Sequence, residues 1–540
     1  MLWQTKEQLT ELLIKLVETP SITDSDSELR MAEVINNELK KLDYFNKYPQ
    51  FLKVYSTENS RKFVTALVKK SEDIRKTVIL VSHFDVVAIK DYGKWEEFAF
   101  NPEKLTEIFY NKKNEMPIAV QKDLAKGNWL FGRGIMDMKA GLTLHMSMLE
   151  QASQGLFEGN ILLLTVNDEE GNSSGMRAAV PVLLDLAEKY NLEYTVCLNS
   201  EPIFGRFPND ENKYIYTGSM GKFNTGFLFY GKETHVGEPF SGLNANMMAS
   251  QLTCELELNT DFCENIQGEI SPPPSNLIQK GLKNEYSVKT PHNAVTLLNM
   301  FLMEKPVEEV IEQLLLSAER AAKRIEDYYQ ERAVNFARLN DSDNNTVKIR
   351  VLTYNDLMVY TVKTYGIEAV ERIINSVIKN KLNKDDRDLT FEIVDRLAHL
   401  SQELTPMIVL FFAPPFYPAV SSYNNPAIKQ VVQEIIEYTE TNYNLELKEM
   451  KYYPGLSDLS YTGLQQPVSS LELVTLNMPL WGKGYSIPLN ELKQLNVPVI
   501  NVGPVGKDAH KWTERLDVDY AFETLKDMLT VTVNKIFAAK

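Results

Sequence analysis

Between Lys62 and Phe204 the chain alternates short apolar runs with longer amphipathic ones. Val64 to Leu67, Val78 to Ser82, Ile161 to Val166 and Tyr194 to Leu198 are short and aliphatic and read as strands; Ala140 to Gln151 and Met176 to Tyr190 carry apolar positions at helical spacing. Strand and helix in alternation predict an α/β sheet with covering helices. Ligands in such sheets gather at the carboxyl ends of strands. Polar triplets stand at two of those ends: His83-Phe84-Asp85 closes the run Thr77 to Ser82, and Asp168-Glu169-Glu170 closes Asn160 to Asn167.

Around Thr217 the pattern changes, with Gly218, Gly221, Gly226 and Gly231 spacing short aromatic pieces such as Phe227 to Tyr230. A helix from Val307 to Arg332, a strand from Val347 to Thr353, a helix from Asp386 to Gln402 and an apolar run from Pro406 to Phe416 follow. After Pro426 the first rhythm resumes: a helix from Ala427 to Thr441, a strand from Val499 to Val502 and a last helix from Tyr520 to Phe537. The pattern predicts one α/β domain, residues 1–217 and 421–540, interrupted by an insertion over residues 218–420.

Composition narrows the class. At 540 residues the chain is too long for one ordinary core, and 44% hydrophobic with 24% charged residues is the balance of a soluble globular protein. A formal charge of -16 argues against a nucleic-acid partner, which needs a basic face. The three cysteines, Cys197, Cys254 and Cys263, form no CxxC pair, so neither a disulfide framework nor a thiolate zinc ribbon is expected and a cytoplasmic setting fits. Met1 to Leu16 has charges among its leucines, as an amphipathic helix does and a signal peptide's core does not. Pro406 to Phe416 is too short to span a bilayer and contains Pro414 and Pro415, so no membrane partner is expected.

The triplets suggest a metal site. A His-x-Asp lets the histidine offer one ring nitrogen to a metal while the aspartate fixes the other, and an acidic triplet supplies a ligand with a free carboxylate beside it. Each also occurs by chance, so the weight lies in what converges with them. Of the six histidines, His145 and His399 sit in helices and read as structural, whereas His510 follows a glycine-rich turn after a strand. Asp137, in Gly132-Arg133-Gly134-Ile135-Met136-Asp137, would be an ordinary helix cap if it stood alone, and Glu201 follows a strand in Asn199-Ser200-Glu201-Pro202.

As an ordered set, His-x-Asp, Gly-x-Gly-x-x-Asp, Asp-Glu-Glu, Glu-Pro and a late His after Gly-Pro resemble the dinuclear-zinc metallopeptidase family of aminoacylases, glutamate carboxypeptidases, aminotripeptidases and succinyl-diaminopimelate desuccinylases. The length and Ser271-Pro272-Pro273-Pro274 look most like its arginine-utilisation RocB-type branch. The resemblance implies a mixed-sheet α/β/α catalytic domain with an inserted α/β-sandwich lid that dimerises. It also implies a cis peptide after the bridging aspartate, here Asp137-Met138.

Carried over residue by residue, it makes His83, Glu201, Glu170 and His510 ligands, with one histidine on each metal, and Asp137 the bridge between two divalent ions, zinc with cobalt or manganese as alternatives. Glu169 becomes the general acid/base, Asp85 the orienter of His83, and His235 the lid histidine that donates to the developing oxyanion. Two divalent cations, three carboxylates and one bridging hydroxide sum to about zero, the balance a buried site needs. The expected reaction is hydrolysis of an amide of a small peptide or N-acyl amino acid by a metal-bridging water. A different class stays open, a catalytically silent metal-stabilised binding or regulatory protein of the same fold; the acid/base Glu169 beside the full ligand set weighs against it. In the last segment Tyr453-Pro454-Gly455-Leu456-Ser457-Asp458 resembles the family's Gly-x-Ser-Asp turn near the site, with a plain polar turn as the alternative. The family's lid arginine has no match around Asn293 to Phe301.

Overall fold

The strand that ends at His83, Lys76–His83, lies inside an eight-stranded mixed sheet. From one edge the order is Leu52–Ser56, Lys62–Val68, Asn160–Val166, Lys76–His83, Glu193–Asn199, Val499–Asn501, Lys213–Tyr216 and Leu447–Met450. Four neighbours in the middle, from Asn160–Val166 to Val499–Asn501, run parallel, while antiparallel pairs flank them. Strands of a parallel centre are covered on both faces, which is why Asn160–Val166 is buried along its whole length. Register sets His83 opposite Val166 and Asn501 opposite Asn199, so the polar segments after these strands emerge side by side.

This computed structural model describes residues 1–207, 210–283, 288–340, 345–382 and 384–539. They fall into two compact units. Unit 1 comprises Met1–Met220, Pro418–Gln465 and Pro488–Lys540, and unit 2 comprises Gly221–Tyr417 and Gln466–Ile487. In unit 1 the helix Lys139–Ser153 is buried from Lys139 through Ala152. A helix buried on every side needs partners on every side. It packs on the strands Lys76–His83 and Asn160–Val166 and on the helices Lys6–Val17 and Lys526–Ala538. No helix among the described residues is long and apolar enough to cross a membrane.

Unit 2 is built on a five-stranded sheet in the order Ser275–Gly281, Asn293–Leu302, Gly221–Tyr230, Met407–Tyr417, Arg350–Thr353. The helices Ala245–Leu256, Val307–Asn340 and Asp386–Leu400 pack on it. The apolar run that the sequence reading saw as broken by Pro414 and Pro415 is one fully buried strand. Prolines have no N–H for the ladder, so the strand bulges between Ala413 and Phe416, and Asn224 Nδ2 donates to the Pro414 carbonyl at 2.9 Å.

Unit 2 also takes Gln466–Ile487, which the sequence reading left within residues 421–540. The reason is tertiary. Its helix Val468–Leu476 packs on Val307–Asn340, and the Gln466 side chain accepts from Val307 N at 3.1 Å and donates to Lys305 O at 2.8 Å.

Candidate metal centre

Four of the parallel strands deliver side chains to one place. His83 closes its strand fully buried, with Nε2 3.3 Å from Asp137 Oδ1 and 3.5 Å from Glu201 Oε1. His510, on the segment after Val499–Asn501, sets Nε2 3.1 Å from Asp137 Oδ2 and 2.8 Å from Glu170 Oε1. The two carboxylate oxygens of Asp137 therefore face different histidines. Atoms able to hold a metal lie within 4.8 Å of one another in three groups: His83 with Asp137 and Glu201, Asp137 with Glu170 and His510, and His83 with Glu169 and Glu170. The last group brings Glu169 within ligand range, beyond the proton-transfer role expected of it.

Local backbone makes these placements possible. Gly134 has φ 75, and a Cβ there would fall 2.3 Å from Val86 Cγ1, so only glycine fits where the chain turns toward Asp137. The Asp137–Met138 peptide is cis, as the resemblance implied. Gly503 is required by space alone, since a Cβ would lie 1.7 Å from the Glu201 carbonyl oxygen. The chain before His510 thereby packs directly on the backbone of Glu201.

Asp85 stands beside His83 and does more besides. Its carboxylate accepts from Glu169 N at 3.0 Å, Glu170 N at 3.2 Å and Thr23 Oγ1 at 2.9 Å. With those bonds made, its Oδ1 stands 3.5 Å from His83 Nδ1, and the nearer contact of that nitrogen is the Asp85 carbonyl at 3.1 Å. Asp85 thus ties the two triplets together. Asp168 shapes the turn: its carboxylate accepts from Asn172 N at 3.2 Å and Ser174 N at 3.0 Å, at the start of the helix Ser174–Tyr190.

Two supporting carboxylates escaped the sequence reading. Glu28 Oε1 accepts from Asp168 N at 3.0 Å, from a helix whose pattern marks only its buried face. Glu514 Oε2 accepts from Arg133 at 2.9 Å and Oε1 from Met136 N at 3.3 Å, while Arg133 reaches Asp91 at 2.7 Å and the Ala88 carbonyl at 3.3 Å. One buried pair therefore links the segments carrying His83, Asp137 and His510. Glu514→Gln leaves the guanidinium without its fully buried counter-charge, and urea unfolding should show a loss of about 3 kcal/mol. A loss below about 1 kcal/mol would mean that Asp91 and Ala88 hold Arg133 unaided. Asp458, in the turn that the sequence reading set near the site, has both oxygens buried and no hydrogen-bond partner among the described residues.

Electrostatics show what the cluster lacks. Burial, reinforced by neighbouring carboxylates, pushes Glu169 and Glu201 well above the usual carboxylate range against the pull of His83. Burial works against protonation of His510, yet Asp137 and Glu170 outweigh it and raise that histidine to about 11. Asp137, which burial alone would raise, is held low by His510 and His83. The carboxylates thus draw positive charge toward the histidines, and Glu201 Oε1 still has no hydrogen-bond partner among the described residues. Two imidazoles and a set of buried carboxylates with an orphaned oxygen fit divalent cations, which supply the missing positive charge.

The remaining histidines lie elsewhere. His145 is buried with Nε2 3.0 Å from Ser200 Oγ, consistent with a core role. In unit 2, His399 Nδ1 is 2.9 Å from the Tyr230 hydroxyl, and the His292 ring stacks edge-on to Tyr230. His235 is exposed on unit 2 and is not among the grouped ligand atoms; its Nδ1 accepts from Gly237 N at 3.1 Å.

Residues 79–534 match Peptidase family M20/M25/M40. The chain belongs to this peptidase family. As an M20 member it is a hydrolase of the peptidase and amidohydrolase kind, in a family whose metallopeptidases bind divalent metals. It is 47% identical to the uncharacterized protein YqjN of Bacillus subtilis, over 99% of this chain and 97% of that protein. It is 30% identical to Protein RocB of the same organism, over 97% of this chain and 94% of that one. Among solved structures, the di-peptidase Dug1p of Saccharomyces cerevisiae has the same fold, with a TM-score of 0.54 at 12% identity over 99% of this chain and 96% of that one.

Proposed function

We propose that this M20 chain is a cytoplasmic, dinuclear metal-dependent hydrolase that cleaves an amide bond of a short peptide or N-acyl amino acid. The observation that carries the reading is Asp137, whose two oxygens face His83 and His510 separately. In this reading His83 and Glu201 hold one ion, His510 and Glu170 the other, and Asp137 bridges them. Two bound divalent ions, zinc first and cobalt or manganese as alternatives, would acidify a water and polarise the scissile carbonyl. Glu169, its amide pinned by Asp85, takes the proton of the attacking water and gives it to the leaving amine. The resemblance to the arginine-utilisation branch of the family makes arginine and ornithine derivatives the first substrates to try.

The test pairs metal analysis with a turnover screen of N-acyl amino acids and dipeptides. Near two ions per chain with turnover is the expected result; protein that cannot be loaded with metal would sink the dinuclear reading. Full loading with no turnover of any compound would favour the silent binding protein.

His235 is proposed as a donor to the oxyanion and unit 2 as a lid and dimer surface, both resting on the family resemblance. His235→Ala should lower kcat by about 10²-fold with metal content unchanged. Loss of metal in that variant would show the role misassigned.

A further inference from the structure

The two histidines of the centre are held in different ways. His83 is fully buried, whereas the His510 side chain is 48% exposed, so packing alone does not fix it. His510 stands on the loop 508–514 of a hairpin whose strands, Gly506–Lys507 and Arg515–Asp517, pair with Lys507 opposite Arg515. Asp508, with φ 62, and His510, with φ 63, both take the left-handed conformation that residues other than glycine rarely adopt. Such a turn persists only where its surroundings hold it.

The hold comes from one side chain. Arg515 is 1% exposed and stands between two carboxylates. Its Nη1 donates to Asp508 Oδ2 at 2.5 Å and to the Thr513 carbonyl at 3.0 Å, while its Nε and Nη2 donate to Asp123 Oδ2 at 2.9 and 2.6 Å. Asp508 Oδ2 also accepts from Thr513 Oγ1 at 2.8 Å. The two ends of the loop that carries His510 are thus tied through one carboxylate.

Asp123 anchors the far side of the guanidinium. It lies in the helix Ile118–Leu124, which carries none of the proposed ligands, and it accepts also from Lys507 Nζ at 2.8 Å. The guanidinium lies over the Trp129 ring, 5.5 Å from its centroid. Charge-assisted bonds on two sides fix a planar guanidinium in orientation as well as position. Neither Asp123 nor Asp508 is among the grouped ligand atoms.

We propose that Arg515, acting through Asp508, is a positioning residue that holds His510 within reach of Asp137 and Glu170 and so sets the affinity for the ion on that side. The proposal rests on the reading of His510 as a metal ligand. Groups that orient a ligand from outside change metal affinity by about 10–100-fold when they are lost. The ion beside His83, a residue held by burial, keeps its affinity.

The test uses Asp508→Gly and Arg515→Lys in the full chain, loaded with cobalt and dialysed against graded chelator buffers. Glycine takes the left-handed φ freely, so the first variant removes the carboxylate without straining the turn, and Arg515 keeps its bonds to Asp123. Lysine keeps the buried charge but lacks the fork that reaches both carboxylates. In each variant elemental analysis and the visible absorption of cobalt should show one ion held as in wild type and the other bound about 10–100-fold more weakly. Since both changes break one contact, the double variant should be no weaker than the weaker single one. Wild-type affinity for both ions in either variant overturns the proposal, as does equal weakening of both ions or full additivity in the double variant. His510→Ala separates this proposal from the reading beneath it. If that variant keeps both ions at wild-type affinity, His510 is no ligand and both fall; if it loses one ion while Asp508→Gly and Arg515→Lys keep two, only the role of Arg515 falls.

Discussion

Glu169→Gln should purify with its full metal complement and turn over substrate about 10³-fold more slowly, with KM little changed. Glutamine keeps the shape and the hydrogen bond that the backbone amide of residue 169 donates to Asp85, so the acidic turn stays in place. What it loses is the ability to accept and return a proton. The environment of Glu169 suits it to proton transfer, since burial and the Glu170, Asp458 and Glu201 charges raise its proton affinity while His83 opposes them. Steady-state kinetics beside metal analysis checks the expectation. A rate within about tenfold of wild type would remove Glu169 as the base. Loss of an ion would instead make it a ligand, the alternative that its grouping with His83 and Glu170 leaves available.

Asp137→Ala should have the larger effect on metal. Removing the carboxylate whose two oxygens face His83 and His510 separately takes a ligand from each proposed ion at once. Metal content should drop below one ion per chain and turnover should become undetectable, measured by elemental analysis after dialysis and by competition with a coloured chelator. Retention of two ions would show that Asp137 does not bridge. His83→Ala should spare the His510 ion more than Asp137→Ala does, because the His83 Nε2 faces Asp137 and Glu201.

Much of the centre was legible because its residues announce themselves locally. The two triplets close buried strands, Asp137 sits in a glycine-framed turn, and Glu201 and His510 each follow a strand; each feature occurs by chance, and it was their order along the chain, matched to the family, that singled them out. The supports were not legible. Glu514, Glu28 and Arg133 matter through partners distant in sequence, and nothing in the spacing of Glu514 says that it meets Arg133. The helix Tyr354–Tyr365 did leave a local sign, a capping box from Thr353 to Asp356, which the alternation of apolar residues alone passed over. The placement of Gln466–Ile487 in unit 2 left none, because an apolar helix face does not name the core it will join.

The position of Val499–Asn501, between Glu193–Asn199 and Lys213–Tyr216, has a consequence for how the chain is made. The sheet is assembled around a slot that a strand made about 300 residues later than its neighbour, by the numbering of Asn199 and Val499, must fill, and the segment after it brings His510. At about 5–20 residues per second, His510 is added on the order of half a minute after Glu201. Through that interval the nascent chain carries the strands and the acidic turn but neither the strand that closes the sheet interior nor the second histidine. The centre is completed only once His510 has been made, and a chain cut short before that residue has no route to it.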